Sequence, residues 1–173
     1  LSLLEEAYGA DSTNLTYARA LSAGYIEAGR MQDALHINER LSEADPEDDD
    51  VRYRLIQLYA RTGELKKGIQ LATELQKRFR PMPEAYGQLT KMKIQLLTLS
   101  KDSVAVGREY RAWAALYPED RRPYYDWILH LFQTGGAKEA EKQLTSDVRA
   151  GRISSGDATA LRVHKYILQK DYP

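Results

Sequence analysis

Residues 25–46 read YIEAGRMQDALHINERLSEADP, and residues 59–81 read YARTGELKKGIQLATELQKRFRP. Sliding the chain along itself by 34 residues lays Tyr25 on Tyr59, Gly29 on Gly63 and Leu41 on Leu75. At the same shift Ala34 meets Gly68, both small, and Pro46 falls one place short of Pro81. Between these landmarks apolar residues recur every three or four places, as in Leu55, Leu58, Tyr59 and then Ile69, Ala72, Leu75. That spacing is helical, and no stretch alternates at period two for long enough to make a strand. Gly29 and Gly63 interrupt the pattern midway and Pro46 and Pro81 close it. Each unit therefore reads as a helix, a tight turn and a second, antiparallel helix.

The bulk properties agree with a helical array and remove several other classes. The chain has 173 residues, long enough for one domain or a short series of repeats. Its 25 Lys and Arg are matched by 25 Asp and Glu, so no net basic field draws it to nucleic acid or to an anionic membrane. There is no cysteine, which excludes a disulfide framework, a thiol nucleophile and a thiolate zinc site but fixes no compartment. No apolar run approaches the roughly 20 residues that span a bilayer. The chain opens on LSLLEEAY without an initiator Met, directly in a helical pattern, and so reads as a piece of a longer protein.

A period of 34 residues, with small residues where two helices cross, resembles the tetratricopeptide repeat. The resemblance implies an all-α fold, a right-handed α–α superhelix of antiparallel helix pairs. It divides the chain into the second helix of a truncated unit at 1–14, repeats at 15–48 and 49–82, a divergent repeat with an insertion at 83–119, a repeat at 120–154, and the first helix of a truncated unit at 155–173. Tyr25, Gly29, Ala34 and Pro46 carry the motif in the first repeat, and Tyr59, Gly63 and Gly68 in the second. In the third, about four extra residues fall around TLSKDS. Trp127, Ile128, Leu131, Gly135 and Ala140 hold family spacing in the fourth. Leu21, Tyr25, Leu55, Tyr59, Trp127 and Leu131 are expected to fill the seams between helices, and apolar surface is expected at both ends.

The resemblance also implies where a partner binds. In such proteins the first helix of each unit lines a concave groove through fixed places. Here those places hold Thr16, Arg19, Ala23, Ile26 and Glu27; Asp50, Tyr53, Gln57, Ala60 and Arg61; Lys91 and Gln95; and Arg122, Tyr125, Leu129, Phe132 and Gln133. Arg, Lys and Gln offer donors, while Tyr and Phe offer flat contact surface, a composition suited to binding. The implied role is a non-catalytic protein–protein interaction scaffold holding a protein or peptide ligand. A polysaccharide, as in envelope assemblies built on such arrays, and self-association into a homo-oligomer through the solenoid ends are the alternatives. The residues with which some members clamp a peptide C-terminus are not reproduced, since Arg19, Ala23, Arg54, Glu84 and Gln88 stand in their places.

Motifs for chemistry are absent from the sequence. His36, His130 and His164 sit on separate helices without a second His at metal-binding spacing. There is no G-x-S-x-G elbow, Walker loop or dinucleotide-binding turn. DPEDDD at 45–50 lacks the Gly and Glu that a calcium loop needs, and reads as helix-capping carboxylates. The basic clusters are offset by acids, and no regular pair of base-reading residues recurs in each unit. The sequence thus implies no enzyme, no cofactor, no metal and no nucleic-acid partner.

Overall fold

A computed structural model describes residues 1–169 of the chain. Among them are ten helices and no strand: α1 (Ser2–Ala10), α2 (Leu15–Glu27), α3 (Met31–Ala44), α4 (Asp49–Thr62), α5 (Leu65–Arg78), α6 (Pro83–Leu99), α7 (Ser103–Leu116), α8 (Arg122–Gln133), α9 (Ala137–Arg149) and α10 (Ser155–Gln169). The fold is an all-α solenoid. The last truncated unit was expected to run on through residues 170–173, which lie outside the described residues. The chain forms two compact units, one spanning Leu1–Ser103 and the other beginning at Val104.

Local signals set the helix ends. The Asn14 side chain accepts hydrogen bonds from the backbone N–H groups of Thr16 and Tyr17 at the start of α2. Asp48 does the same for Val51 at the start of α4, where Asp49 and Asp50 also face the positive end of the helix dipole. Pro83 and Pro123 occupy the first turns of α6 and α8, where a missing N–H costs nothing. Gly29, Gly63, Gly135 and Gly151 all adopt positive φ just past a helix. At the first of these, Arg30 N–H closes onto the Tyr25 carbonyl at 2.8 Å.

In the first unit two apolar clusters share α4. Ala18, Leu21, Tyr25, Ala34, Leu35, Leu41, Val51, Leu55, Leu58 and Tyr59 form one, packed among α2, α3 and α4. Ile56, Ala72, Leu75, Leu89 and Leu96 form the other, among α4, α5 and α6. The small residues mark where helices close most tightly. A methyl group built on Gly68 would lie 2.9 Å from Leu96 Cδ1 and 3.1 Å from Tyr59 Cβ, so this seam leaves even less room than Ala allows. In the second unit Ile128, Leu131, Phe132, Ala140, Leu144, Ile153, Ala158 and Leu161 form the core of α8, α9 and α10.

A polar clasp repeats alongside these seams. Tyr25 Oη donates to Glu5 Oε1 at 3.1 Å, and 34 residues on Tyr59 Oη donates to Glu39 Oε1 at 3.0 Å. A cation completes each: Arg30 lies 2.8 Å from Glu5 and over the Tyr25 ring, and Lys67 lies 3.1 Å from Glu39 and over the Tyr59 ring. The cations come from different places in the repeat. Arg30 pairs forward with Asp33, whereas Lys67 pairs back with Glu64, so acid and base are exchanged between matching positions. Burial, and after it the hydrogen bond to Glu39, push the Tyr59 phenol up to about 12.

Two sequence expectations change in detail. Trp127 reaches its seam only from the edge and is half-buried, its ring tilted against Tyr110 at 5.3 Å and 3.3 Å from a methyl placed on Gly107. The fully buried tryptophan is Trp113 on α7, whose indole N–H donates to Asp120 at 3.1 Å. The residues around TLSKDS are used mainly to lengthen α6, which has 17 residues against 14 in α4. That helix ends at Leu99 with Ser100 as its cap, and the next residue, Lys101, takes the left-handed conformation at φ 60° without being glycine.

Tyr59→Ala is expected to destabilise the protein by about 3 kcal/mol, and Tyr59→Phe by about 1 kcal/mol, in chemical denaturation. Lys101→Gly is expected to stabilise by roughly 1 kcal/mol, because glycine adopts the left-handed conformation without the steric penalty that a side chain carries.

Candidate functional site

The repeat brings first-helix residues of the first unit into rows across α2, α4 and α6. Thr16, Asp50 and Glu84 form one row, Ala23, Gln57 and Lys91 a second, and Glu27, Arg61 and Gln95 a third, and every one of them is exposed. The helices present these positions because the opposite sides are spent on the core: Val51, Leu55, Ile56, Leu58 and Tyr59 on α4, and Leu89, Leu96 and Leu97 on α6. Helices α4 and α6 pack directly on each other, so their exposed rows are adjacent.

Other residues expected in the groove have partners inside the protein. Arg19 Nη2 lies 2.5 Å from Asp48 Oδ2, fastening α2 to the cap of α4. Capping of the Val51 N–H, with the Arg19 pair adding to it, holds the Asp48 carboxyl below its ordinary range. Tyr53 is half-buried, with its ring 6.3 Å from that of Phe79, and Ile26 packs on the first apolar cluster. These three are therefore supports for the face, with part of each surface left open.

On α8, in the second unit, the outcome differs residue by residue. Phe132 is 5 % exposed and belongs to the core, with Lys165 over its ring, so it has little surface to give a partner. The groove assignment of Phe132 is corrected on that ground: its position in the repeat points it at α9 and α10. Leu129 packs against the same core. Tyr125 Oη donates to Asp157 Oδ2 at 2.6 Å, joining α8 to the start of α10, and Arg122 is held by Asp120 at 3.0 Å. Gln133 is exposed.

Clefts occur on the other side of the first unit. One of about 230 Å³ is lined by residues that include Tyr8, Leu15, Arg40 and Leu41. Another of about 230 Å³ is lined by residues that include Ser42, Tyr59, Lys67 and Glu74. Both are shallow features between successive second helices. Among the described residues no three His, Asp or Glu side chains converge as metal ligands would. No described helix is long and apolar enough to cross a membrane. Large apolar side chains are exposed on α1, where Leu3 is 79 % accessible, and on α10 at Val163, Tyr166 and Ile167.

With paired helices, small crossing residues and an ordered first-helix face in place, the comparisons with known proteins agree. Residues 25–91 match the family model described as tetratricopeptide repeat. The structure is similar to the crystal structure of YrrB, described as a TPR protein with an unusual peptide-binding site. The superposition covers 98 % of this chain and 93 % of that one, with 13 % sequence identity and a TM-score of 0.52. No curated protein matches the chain.

His130 on α8 stacks on Trp127 at 5.9 Å, and its burial lowers its pKa. A histidine kept neutral when folded stabilises the native state above its ordinary value near 6.5 and loses that contribution as pH falls through the lowered folded value. Stability measured by denaturant titration is therefore expected to fall between pH 7 and pH 5, and His130→Phe to flatten that fall.

Proposed function

We propose that the protein is a non-catalytic interaction module that holds a partner protein or peptide against the first-helix face of α2, α4 and α6. The observation that carries this reading is the ordered exposure of Gln57, Arg61, Lys91 and Gln95 on two directly packed helices. Long polar side chains stand in register there while the core holds the backbone beneath them, which is the arrangement that lets a partner be read without refolding the site. The peptide-binding site described for YrrB supports a ligand of the same kind.

Self-association through the ends is a second reading, favoured by the exposure of Leu3, Tyr166 and Ile167. It predicts a mass that rises with concentration in sedimentation velocity.

Site-specific photo-crosslinking separates the readings. A crosslinker is placed at Gln57 or Gln95 on the face, and at Gln70, exposed on α5, as the control. Adducts with a distinct protein at Gln57 and Gln95 but not at Gln70 are expected. Adducts at Gln70 alone would move the binding surface to the second helices.

A further inference from the structure

Many cations of the first unit are engaged in ion pairs within the chain. Arg19, Arg30, Arg52, Lys67 and Arg78 are each within 3.5 Å of a carboxylate of the chain itself. Arg54 and Arg61, both on α4, stand outside those pairs.

Arg54, Gln57 and Arg61 are spaced three and four apart on α4, which lines them along one side of the helix. One repeat later come Gln88, Lys91 and Gln95 on α6, with the same spacing. All six are at least partly exposed and carry donors, and no Asp or Glu occurs in the sequence between the ends of either stripe, while Glu27 on α2 shares the row of Arg61 and Gln95. On α4 and α6 carboxylates begin only at the first turns, with Asp50 and Glu84, at the end of each stripe where they oppose the helix dipole. The chain as a whole is neutral, so this concentration of donors is local.

We propose that these paired stripes bind an acidic segment of a partner polypeptide, its side-chain carboxylates taken by Arg54 and Arg61 and its backbone carbonyls by Gln57 and Gln95. Guanidinium groups recognise carboxylates through two parallel N–H bonds, and glutamine amides offer N–H donors to an extended backbone. Lys91 adds positive charge on the neighbouring helix. The two arginines are separated by about 10 Å along α4, seven residues at 1.5 Å each. A peptide in the polyproline-II conformation, with three residues per turn and a rise of about 3.1 Å per residue, brings every third side chain to one face about 9 Å apart, so acidic side chains three apart fit the pair. This inference rests on the proposed first-helix face and names the chemistry that the face selects.

The test uses the whole chain and three fluorescein-labelled decapeptides with amidated C-termini, identical except that every third residue is Glu, Gln or Lys. Fluorescence anisotropy is measured at 50 mM and 300 mM salt. Tighter binding of the Glu peptide than of the other two by at least tenfold is expected, weakening as salt rises. Arg54→Glu with Arg61→Glu is expected to reverse the preference toward the Lys peptide, and Lys66→Glu with Lys77→Glu, on α5, to leave it unchanged. Circular dichroism establishes that each variant is folded, and Arg54→Gln with Arg61→Gln is the milder substitution if the reversed pair is not.

Equal affinity for the Glu and Gln peptides, lost in Gln57→Ala with Gln95→Ala, would overturn the acidic ligand while leaving the face as the binding surface. Binding of the Glu peptide that ignores the α4 substitutions would overturn the site. A single-stranded oligonucleotide of equal charge that binds more tightly than the Glu peptide would replace the ligand class. Failure of the Glu peptide to bind at 50 mM salt would also overturn the proposal, whereas the crosslinking comparison tests the face independently of the ligand's chemistry.

Discussion

The structure depends on how closely two helices can approach at one position in each pair. Ala34, Gly68 and Ala140 hold matching places on α3, α5 and α9, and Gly107 lets the Trp127 ring approach α7 to 3.3 Å from where a methyl would stand. Where the side chain is a methyl or a hydrogen, the partner helix sits against the backbone, and the larger neighbours Leu21, Leu55, Leu96 and Leu131 close around it. A solenoid unit has apolar residues on more than one side, so it is stable only when each pair is tight enough to offer the next a continuous surface. The close crossing therefore comes before the apolar clusters, and the clusters before the exposed face.

Polar contacts then fix what packing alone leaves free. Rows of leucines resist separation but permit sliding, because dispersion contacts are non-directional. Hydrogen bonds are directional. Gln76 donates to Thr90 at 2.8 Å and accepts from Lys93 at 3.2 Å across the α5–α6 seam, and buried Asn38 donates to Ser22 across α2 and α3. The Glu5–Tyr25–Arg30 and Glu39–Tyr59–Lys67 clasps act at the margins of the same seams. Exposed ion pairs of this kind add little individually. Their contribution is to choose one axial setting, and that setting is what keeps Gln57 beside Lys91 and Arg61 beside Gln95.

Features governed by short-range rules were legible in the sequence. Glycine at a left-handed turn, acids at a helix start and apolar residues at helical spacing each depend on a few neighbours, and Gly29, Gly63, Asp48 and the Tyr25–Tyr59 repeat were all readable that way. The exposure of Gln57, Arg61, Lys91 and Gln95 agrees with their position in the repeat. What escaped depends on partners far apart in sequence. Glu5 meets Tyr25 across 20 residues, and the exchange of acid and base between Arg30–Asp33 and Glu64–Lys67 hides the shared clasp from any comparison by identity. Tyr125 and Phe132 occupy groove positions, yet Asp157 and the α9–α10 core claim them. Lys101 gave no signal, because its conformation is imposed by the longer α6 rather than by its own side chain.

Helix α4 has a consequence for how the first unit comes apart. Leu55, Leu58 and Tyr59 belong to one apolar cluster and Ile56 to the other, so adjacent residues of a single helix are committed to both. A helix buried on one side can fray away and leave its neighbours standing. One buried on two sides cannot, since its loss exposes both clusters together. The pairs on either side of α4 are thereby joined into one cooperative block, and amide protons on α4 should exchange with solvent only when the block as a whole opens.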